Sequence, residues 1–450
     1  MASEQPEQAE QPNTGIIGSV ADAAAPEPAI NDASDASAPE AAAAPRRPRR
    51  FVGRRSKQAG AKSSSTAVAR RRGGGARSMR LANRIPDDIA QNEALTEAIR
   101  VLPPNYNFEI RKTLWKLRQA EAKVVALQFP EGLLMYACVI ADILERFGGV
   151  EPLVLGDVTY GACCVDDLSA RALGADFLVH YGHSCLVPIS TTTVRMLYVF
   201  VEIAIDNEHF VACVKATLPP DTKLTVMGTI QFAAAVFHSK PLLEAHYGDV
   251  QIPQAKPLSP GEVLGCTSPV LDGRDALVFV ADGRFHLESA MIHNPSVRAF
   301  LYDPYSKKLT AEGYEHEEMH ALRKDAVARA KGARSFGVIL GTLGRQGNPT
   351  ILRRIEALLR GRGARYFILL LSEIFPDKLA RFKDVDAWIQ IACPRLSIDW
   401  GYAFDKPLLS PYEAEVALEA TAWRERYPMD FYARGSGPWT NYFDGKDKGK

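Results

Sequence analysis

The sequence predicts an α/β protein built from three similar parallel-sheet domains, and three observations carry that expectation. Short apolar runs rich in Val, Ile, Leu and Phe alternate with amphipathic helical stretches, as in parallel sheets covered on both faces. The alternation repeats: Val124–Pro130 (VVALQFP), Leu224–Gly228 (LTVMG) and Phe336–Gly341 (FGVILG) each open a unit, and each is followed by a helical stretch. About fifty residues later each unit has a second strand introduced by an aspartate: Asp176–Gly182 (DFLVHYG), Asp275–Gly283 (DALVFVADG) and Asp386–Ala392 (DAWIQIA). Self-similarity at a fixed spacing is the signature of a repeated architecture.

In chain order, residues 1–80 are rich in Ala, Pro, Glu, Ser, Gly and Arg. So few large apolar residues cannot offset the entropy of ordering, which predicts a disordered tail. Residues 1–45 hold eight Asp/Glu and no Lys/Arg, and residues 46–80 hold thirteen Lys/Arg and no Asp/Glu. The basic block Arg46–Arg55 reads as a nuclear-import or RNA-contact patch, or as a plain solvated tail. The helical pattern Phe108–Ala122 leads into a first domain over 81–205. A second spans 206–325 and a third 326–430, with residues 431–450 expected as a flexible C-terminal tail.

Of the 450 residues 46% are hydrophobic and 24% charged, the balance of a globular protein with a sizeable core. The whole chain carries 54 Lys/Arg against 53 Asp/Glu, which leaves residues 81–450 with 41 against 45. That mildly acidic folded part argues against direct nucleic-acid binding. No apolar run is long enough for a membrane span. The opening MASEQPEQAEQP lacks the basic and apolar regions of a secretory signal. With seven cysteines, an odd number, the expectation is a reducing, cytoplasmic compartment.

The cysteines divide into two groups. Cys138 and Cys213 fall on helical patterns and read as core residues. Cys185, in His183-Ser184-Cys185-Leu186 just past a strand, also reads as structural. Cys163 lies in GDVTYGACCVDD, Cys266 in GEVLGCTSP and Cys393 in IACPRLSIDWG, so each repeat offers one cysteine from a loop near a strand end. Ligands of open parallel sheets bind at the carboxyl ends of strands, where three such loops can converge. The chain has no CxxC pair of the kind that makes closed zinc sites. Three convergent thiolates suit a [4Fe–4S] cluster with one iron lacking a protein ligand. By spacing alone, three unrelated cysteines or a zinc-binding interaction protein remain alternatives.

Several stretches carry a more specific signal. The segment GDVTYGACCVDDLSARALGADFLVHYGHSCLVP (156–188) resembles the radical diphthamide synthase family. So do LPPNYNFEIRKTLWKL (102–117), LGCTSP (264–269), LGTLGRQGN (340–348) and IACPRLSIDWGYAFDKPLLSPYE (391–413). The resemblance covers about residues 85–430. It implies three α/β domains in a triangle, each supplying one cysteine to a central [4Fe–4S] cluster. The family positions fall on Cys163, Cys266 and Cys393, although the adjacent Cys164 leaves the choice within GACC open from sequence alone. The implied activity is transfer of a 3-amino-3-carboxypropyl group from S-adenosylmethionine to C2 of a histidine on translation elongation factor 2, by a radical route. The implied partners are a paralogous second synthase subunit and a small metal-binding protein that delivers electrons. A non-catalytic or electron-relay subunit of the same complex is the alternative.

Other candidates follow from local chemistry. Gly341–Gly347 (GTLGRQG) follows a strand and precedes a helix. Its amides suit either an anion, such as the carboxylate of S-adenosylmethionine, or a plain turn. Arg395 is placed to pair with a substrate carboxylate and Asp399 to orient it. His180, His183 and His286 lie near strand ends and read as structural. Asp166 and Asp167 suit a helix N-cap.

Overall fold

The computed structural model describes residues 84–157 and 159–443. The expected disordered tail over 1–80 lies outside the described residues. Three sheets form the frame, all within one compact unit. β1 (Tyr106–Asn107) precedes the first sheet. That sheet consists of β2 (Val124–Gln128), β3 (Glu151–Val154), β4 (Phe177–Tyr181) and β5 (Arg195–Val199), ordered β3-β2-β4-β5 and wholly parallel. β6 (Glu202–Ile203) returns to pair antiparallel with β1.

The second sheet holds β7 (Leu224–Gly228), β8 (Val250–Gln251), β9 (Ala276–Val280), β10 (Arg298–Asp303) and β11 (Lys308–Glu312), ordered β11-β10-β9-β7-β8. It is parallel except for the β10–β11 hairpin at its edge, which the sequence pattern did not anticipate. The third sheet, ordered β13-β12-β14-β15, is again parallel. Its strands are β12 (Ser335–Gly341), β13 (Arg365–Leu371), β14 (Ala387–Ile391) and β15 (Leu408–Leu409).

The repeat seen in the sequence is the pairing of central strands. β2 lies beside β4, β7 beside β9 and β12 beside β14, each pair parallel. The leading aspartates have a common job. Asp176 accepts from the Lys123 amide, Asp275 from the Lys223 amide at 2.8 Å, and Asp386 from the amides of Arg334 and Ser335 at 2.9 Å. Each carboxylate satisfies backbone donors at the start of the neighbouring strand, which would otherwise lack partners. β4, β9 and β14 are buried along their whole length, as expected of strands covered by helices on both faces.

Two boundaries differ from the sequence expectation. The helix His316–Lys331 packs against the third sheet rather than the second, with Met319, Ala326, Val327 and Ala330 in one core with Phe336 and Val338. Its Arg323 side chain, 2% exposed, forms a bidentate pair with the fully buried Glu413 at 2.6 and 2.8 Å. The second correction concerns residues 431–443, which form a packed strap rather than a flexible tail. Phe431, Tyr432 and Trp439 are buried, and Trp439 Nε1 donates to Asp430 at 3.1 Å. Aromatic residues burying their rings against the third core outweigh the glycines and prolines around them. Among the described residues, no helix is long and apolar enough to cross a membrane.

Candidate metal centre

Cys163, Cys266 and Cys393 each follow a parallel strand of a different sheet, and local geometry fixes each one. Cys163 sits in the loop between β3 and the helix Asp167–Ala172, in a turn closed by the Cys164 amide on Gly161 O at 2.9 Å. Asp166 caps that helix through the Ser169 amide, while Asp167 is bound by Arg345 at 2.8 and 2.7 Å. Cys266 occupies the tip of a tight reversal in which Leu264 and Thr267 exchange backbone bonds at 2.9 and 3.2 Å. Cys393 is the N-cap of the helix Pro394–Trp400, where its carbonyl accepts from the Leu396 amide at 3.0 Å and its sulfur lies beside the positive end of the helix.

The three thiols share one environment. The Cys266 thiol is pushed well up by burial and by the nearby Cys393 and Cys163 sulfurs. The Cys393 thiol rises to about 11 through burial and Cys163, despite the helix amides that favour its thiolate. The Cys163 thiol is raised by its contact with Cys164, 3.9 Å away, and by burial. Thiols held this way resist ionisation until a cationic group offsets their mutual repulsion, and a coordinated metal does so directly. The donor set therefore fits a thiophilic metal group.

A single ion is a poorer fit. Thiolates on one zinc sit about 2.3 Å from it and hence within roughly 4 Å of one another. Among the described residues, no three His, Cys, Asp or Glu side chains are grouped closely enough to hold one ion. In a cubane cluster each thiolate binds its own iron, so wider spacing is required. Cys163 lies within electrostatic reach of Cys266 and Cys393; Cys164 also lies within reach of Cys393, but it is 1% exposed and its carbonyl is held by Gln128 Nε2 at 2.8 Å.

Two side-chain systems lock the loops together. Arg395 is 4% exposed and donates from Nη1 to Gly265 O and Phe285 O, from Nη2 to Glu288 at 2.5 Å, and from Nε to Asp399 at 2.9 Å. Its guanidinium carbon lies 4.2 Å from the Phe285 ring centroid. The guanidinium expected to meet a substrate carboxylate is thus engaged by protein acceptors, with Asp399 among them. On the other side, the glycine-rich loop grips the GACC turn. The Arg345 amide donates to Cys163 O at 2.9 Å, and Gln346 Nε2 lies 3.6 Å from both the Cys163 and Cys164 sulfurs. Gly344 adopts φ +54°, and a Cβ there would lie 2.5 Å from the Cys164 carbonyl carbon.

The remaining sequence candidates fall around this centre. His180 is buried, with Nδ1 bonded to Gln128 Oε1 at 2.8 Å, a structural role. His183 and His286 lie in electrostatic reach of each other, and burial lowers both to about 4. Cys138 is exposed, contrary to its expected core position, because its helix buries Ala137, Ile140, Ala141 and Leu144 on the adjoining stripe. Cys213 is half-buried against the second core, and Cys185 is exposed. Sequence reasoning missed Phe285, Glu288, Gln346 and Tyr432. For Phe285 and Glu288 the available signal was their position just beyond the carboxyl end of β9.

Fold and site together define the class of protein: a repeated α/β frame whose strand-end loops bring three thiols within electrostatic reach of one another. The comparisons are specific: residues 129–428 match the family model described as "Putative diphthamide synthesis protein", and the chain belongs to that family. It is 60% identical over 365 residues to the Homo sapiens "2-(3-amino-3-carboxypropyl)histidine synthase subunit 1", covering 80% of this chain and 83% of the relative. The protein of the same name from Dictyostelium discoideum is 55% identical over 370 residues, covering 80% and 78%. Among solved structures, the fold is similar to that of Dph2 from Pyrococcus horikoshii with a 4Fe-4S cluster. There the TM-score is 0.60 and the identity 28%, covering 72% of this chain and 93% of that one.

Proposed function

We propose that this chain is the cluster-bearing subunit of a synthase that transfers a 3-amino-3-carboxypropyl group from S-adenosylmethionine to C2 of a histidine on translation elongation factor 2. The observation that carries the reading is the meeting of Cys163, Cys266 and Cys393, from loops of three sheets, in one half-buried environment. The names of its relatives and the cluster in the Pyrococcus structure support it.

Cys163, Cys266 and Cys393 would hold a [4Fe–4S] cluster, leaving one iron without a protein thiolate. When bound and reduced, such a cluster would supply the one electron needed to cleave the S–Cγ bond of the sulfonium. The chain's own residues position the thiols. Arg395, through Gly265 O, holds the Cys266 turn against the Cys393 helix. The loop 341–347 holds the Cys163 turn, and Gln346 directs amide hydrogens at its sulfur. The subunit works with a paralogous partner, receives electrons from a small metal-binding protein and acts in the cytoplasm.

The test is iron and acid-labile sulfide content, with an EPR spectrum, on dithionite-reduced protein purified anaerobically with its partner subunit. About four irons per cluster and a signal perturbed by S-adenosylmethionine are expected. Stoichiometric zinc without sulfide overturns the reading. Cys163→Ser, Cys266→Ser and Cys393→Ser should each lose the cluster while Cys164→Ser keeps it.

A further inference from the structure

The three sheets share an outer edge, the strand that flanks the leading one: β3 in the first, β8 in the second and β13 in the third. A bare edge offers a row of backbone N–H and C=O groups to any other chain, so folded proteins usually blunt it. Two of these three edges are blunted. β3 has four residues and carries Glu151 and Pro152, and β8 has only two residues. The opposite edges are guarded too. β11 reads KLTAE with a charge at each end, β15 has two residues, and most of β5 is buried.

β13 is the exception. It runs for seven residues, Arg365–Leu371 (RYFILLL), and pairs with β12 along its whole length. Among the described residues no strand lies on its other side. Successive side chains point to opposite faces, and both faces reach water. Ile368 is 42% exposed and Leu370 62%, while on the other face the half-exposed Phe367 stacks on Phe382 with centroids 5.5 Å apart. The start of the strand is basic. Arg365, Arg381 and Lys383 line one groove with Phe367 and Phe382, and none of the three cations is in an ion pair among the described residues. An occupant of this edge must therefore be an apolar strand whose end beside Arg365 is acidic.

We propose that β13 is the surface that binds the partner subunit, an apolar edge strand of that subunit adding antiparallel to it and continuing the third sheet into the second chain. The relatives named "subunit 1" are by that name parts of a larger assembly. Two chains of one frame that meet edge to edge about a two-fold axis run their strands antiparallel. The C-terminal end of the added strand then lies beside Arg365, Arg381 and Lys383, and carries the acidic side chains that answer them. Main-chain hydrogen bonds supply affinity, and the two exposed faces of β13 supply the side-chain contacts. The identity of the occupant rests on the synthase reading above.

The experiment co-expresses the paralogous second synthase subunit with the tagged full chain as wild type, Ile368→Lys/Leu370→Lys, Arg365→Glu/Lys383→Glu and Leu242→Lys. Leu242 is an exposed apolar residue on the helix Ala233–Glu244 and serves as the control. All the substituted side chains stand at the surface, so urea midpoints should match wild type. At equal dilution Ile368→Lys/Leu370→Lys should retain at most roughly a tenth of the partner that wild type retains, because charges buried in an apolar contact are strongly disfavoured. Arg365→Glu/Lys383→Glu leaves the apolar row intact and should weaken retention severalfold, most at low salt. Leu242→Lys should retain the partner fully. In hydrogen exchange, the amides of residues 365–371 should slow in the wild-type complex relative to the chain expressed alone. Full partner retention by both double variants overturns the proposal, as does exchange at 365–371 that is equally fast with and without the partner. A wild-type chain that dimerises with itself through β13, while both double variants still hold the partner, assigns the edge to a second copy and overturns it as well. Iron and sulfide per chain report on the synthase reading separately: zinc without sulfide removes that reading, while partner retention still decides the edge.

Discussion

Arg395 stands two residues after Cys393, yet its guanidinium donates to the carbonyl of Gly265, the residue before Cys266. One side chain thus joins two thiol-bearing loops from different sheets. Its charge is balanced by Glu288 and Asp399, and its plane is covered by Phe285. Arg395→Met keeps the bulk but removes the donor to Asp399 and to two carbonyls, and leaves Glu288 with Arg284 alone. Groups that orient metal ligands typically matter by about 10–100-fold in metal affinity. The expected result is a folded protein with much reduced iron and sulfide per chain. Arg395→Lys should recover only part of it, because an ammonium cannot reproduce the planar fork. Wild-type metal content in Arg395→Met would show that the two loops hold their places without it.

Gly265 is required by the same stack. A Cβ there would lie 2.1 Å from the Phe285 ring, which covers this stretch of backbone. Gly265→Ala should therefore cost about 1–3 kcal/mol through overpacking and shift the Cys266 turn. Denaturation midpoints and iron content should fall together. The double variant Gly265→Ala/Phe285→Leu, which makes room for the methyl, should recover part of the stability.

The frame was legible because its signal is local and repeated. Asp176, Asp275 and Asp386 each stand where a carboxylate can receive amides at the start of the neighbouring strand, about fifty residues after that strand begins. The three cysteines were legible as strand-end loop residues. What surrounds them was not. Phe285 and Glu288 come from the second sheet, Gln346 from the third and Tyr432 from beyond the last strand, and no sequence period links them. The role of Arg395 changed for a related reason: besides Asp399, its acceptors lie more than a hundred residues away, at 265, 285 and 288. Cys138 shows the limit of helical pattern reading, since one step of about 100° around a helix separates a core position from an exposed one.

The Arg323–Glu413 pair is the clearest buried ion pair in the frame. The carboxylate also accepts from Tyr427 at 2.9 Å and from the Ser410 amide at 2.8 Å. Removing one partner strands a charge that has no water to turn to. Arg323→Met should destabilise by about 3–5 kcal/mol, measured by urea denaturation, whereas Arg323→Met/Glu413→Gln should cost clearly less. Equal losses in the single and double variants would mean that packing, not the stranded charge, sets the cost.

Acid sensitivity should arise beside the centre as well. His183 and His286 titrate at about 4 in the folded protein, against an ordinary 6.5, because burial disfavours their charged forms and each has a positive or potentially positive neighbour, His286 and Arg395 respectively. Between pH 6.5 and 4 the unfolded chain binds more protons at these positions than the folded one. Stability must then rise with pH across that window, and fall as pH drops from 6.5 towards 4. Two groups set a ceiling of ~2.7 kcal/mol per pH unit, and partial solvent access will keep the observed slope below it. Urea midpoints at pH 7.0 and 5.5 should differ in the wild type. The difference should shrink in His183→Gln and shrink further in His183→Gln/His286→Gln. An unchanged pH dependence in the double variant would place the proton uptake elsewhere, with the buried His180, shifted in the same direction, the next residue to substitute.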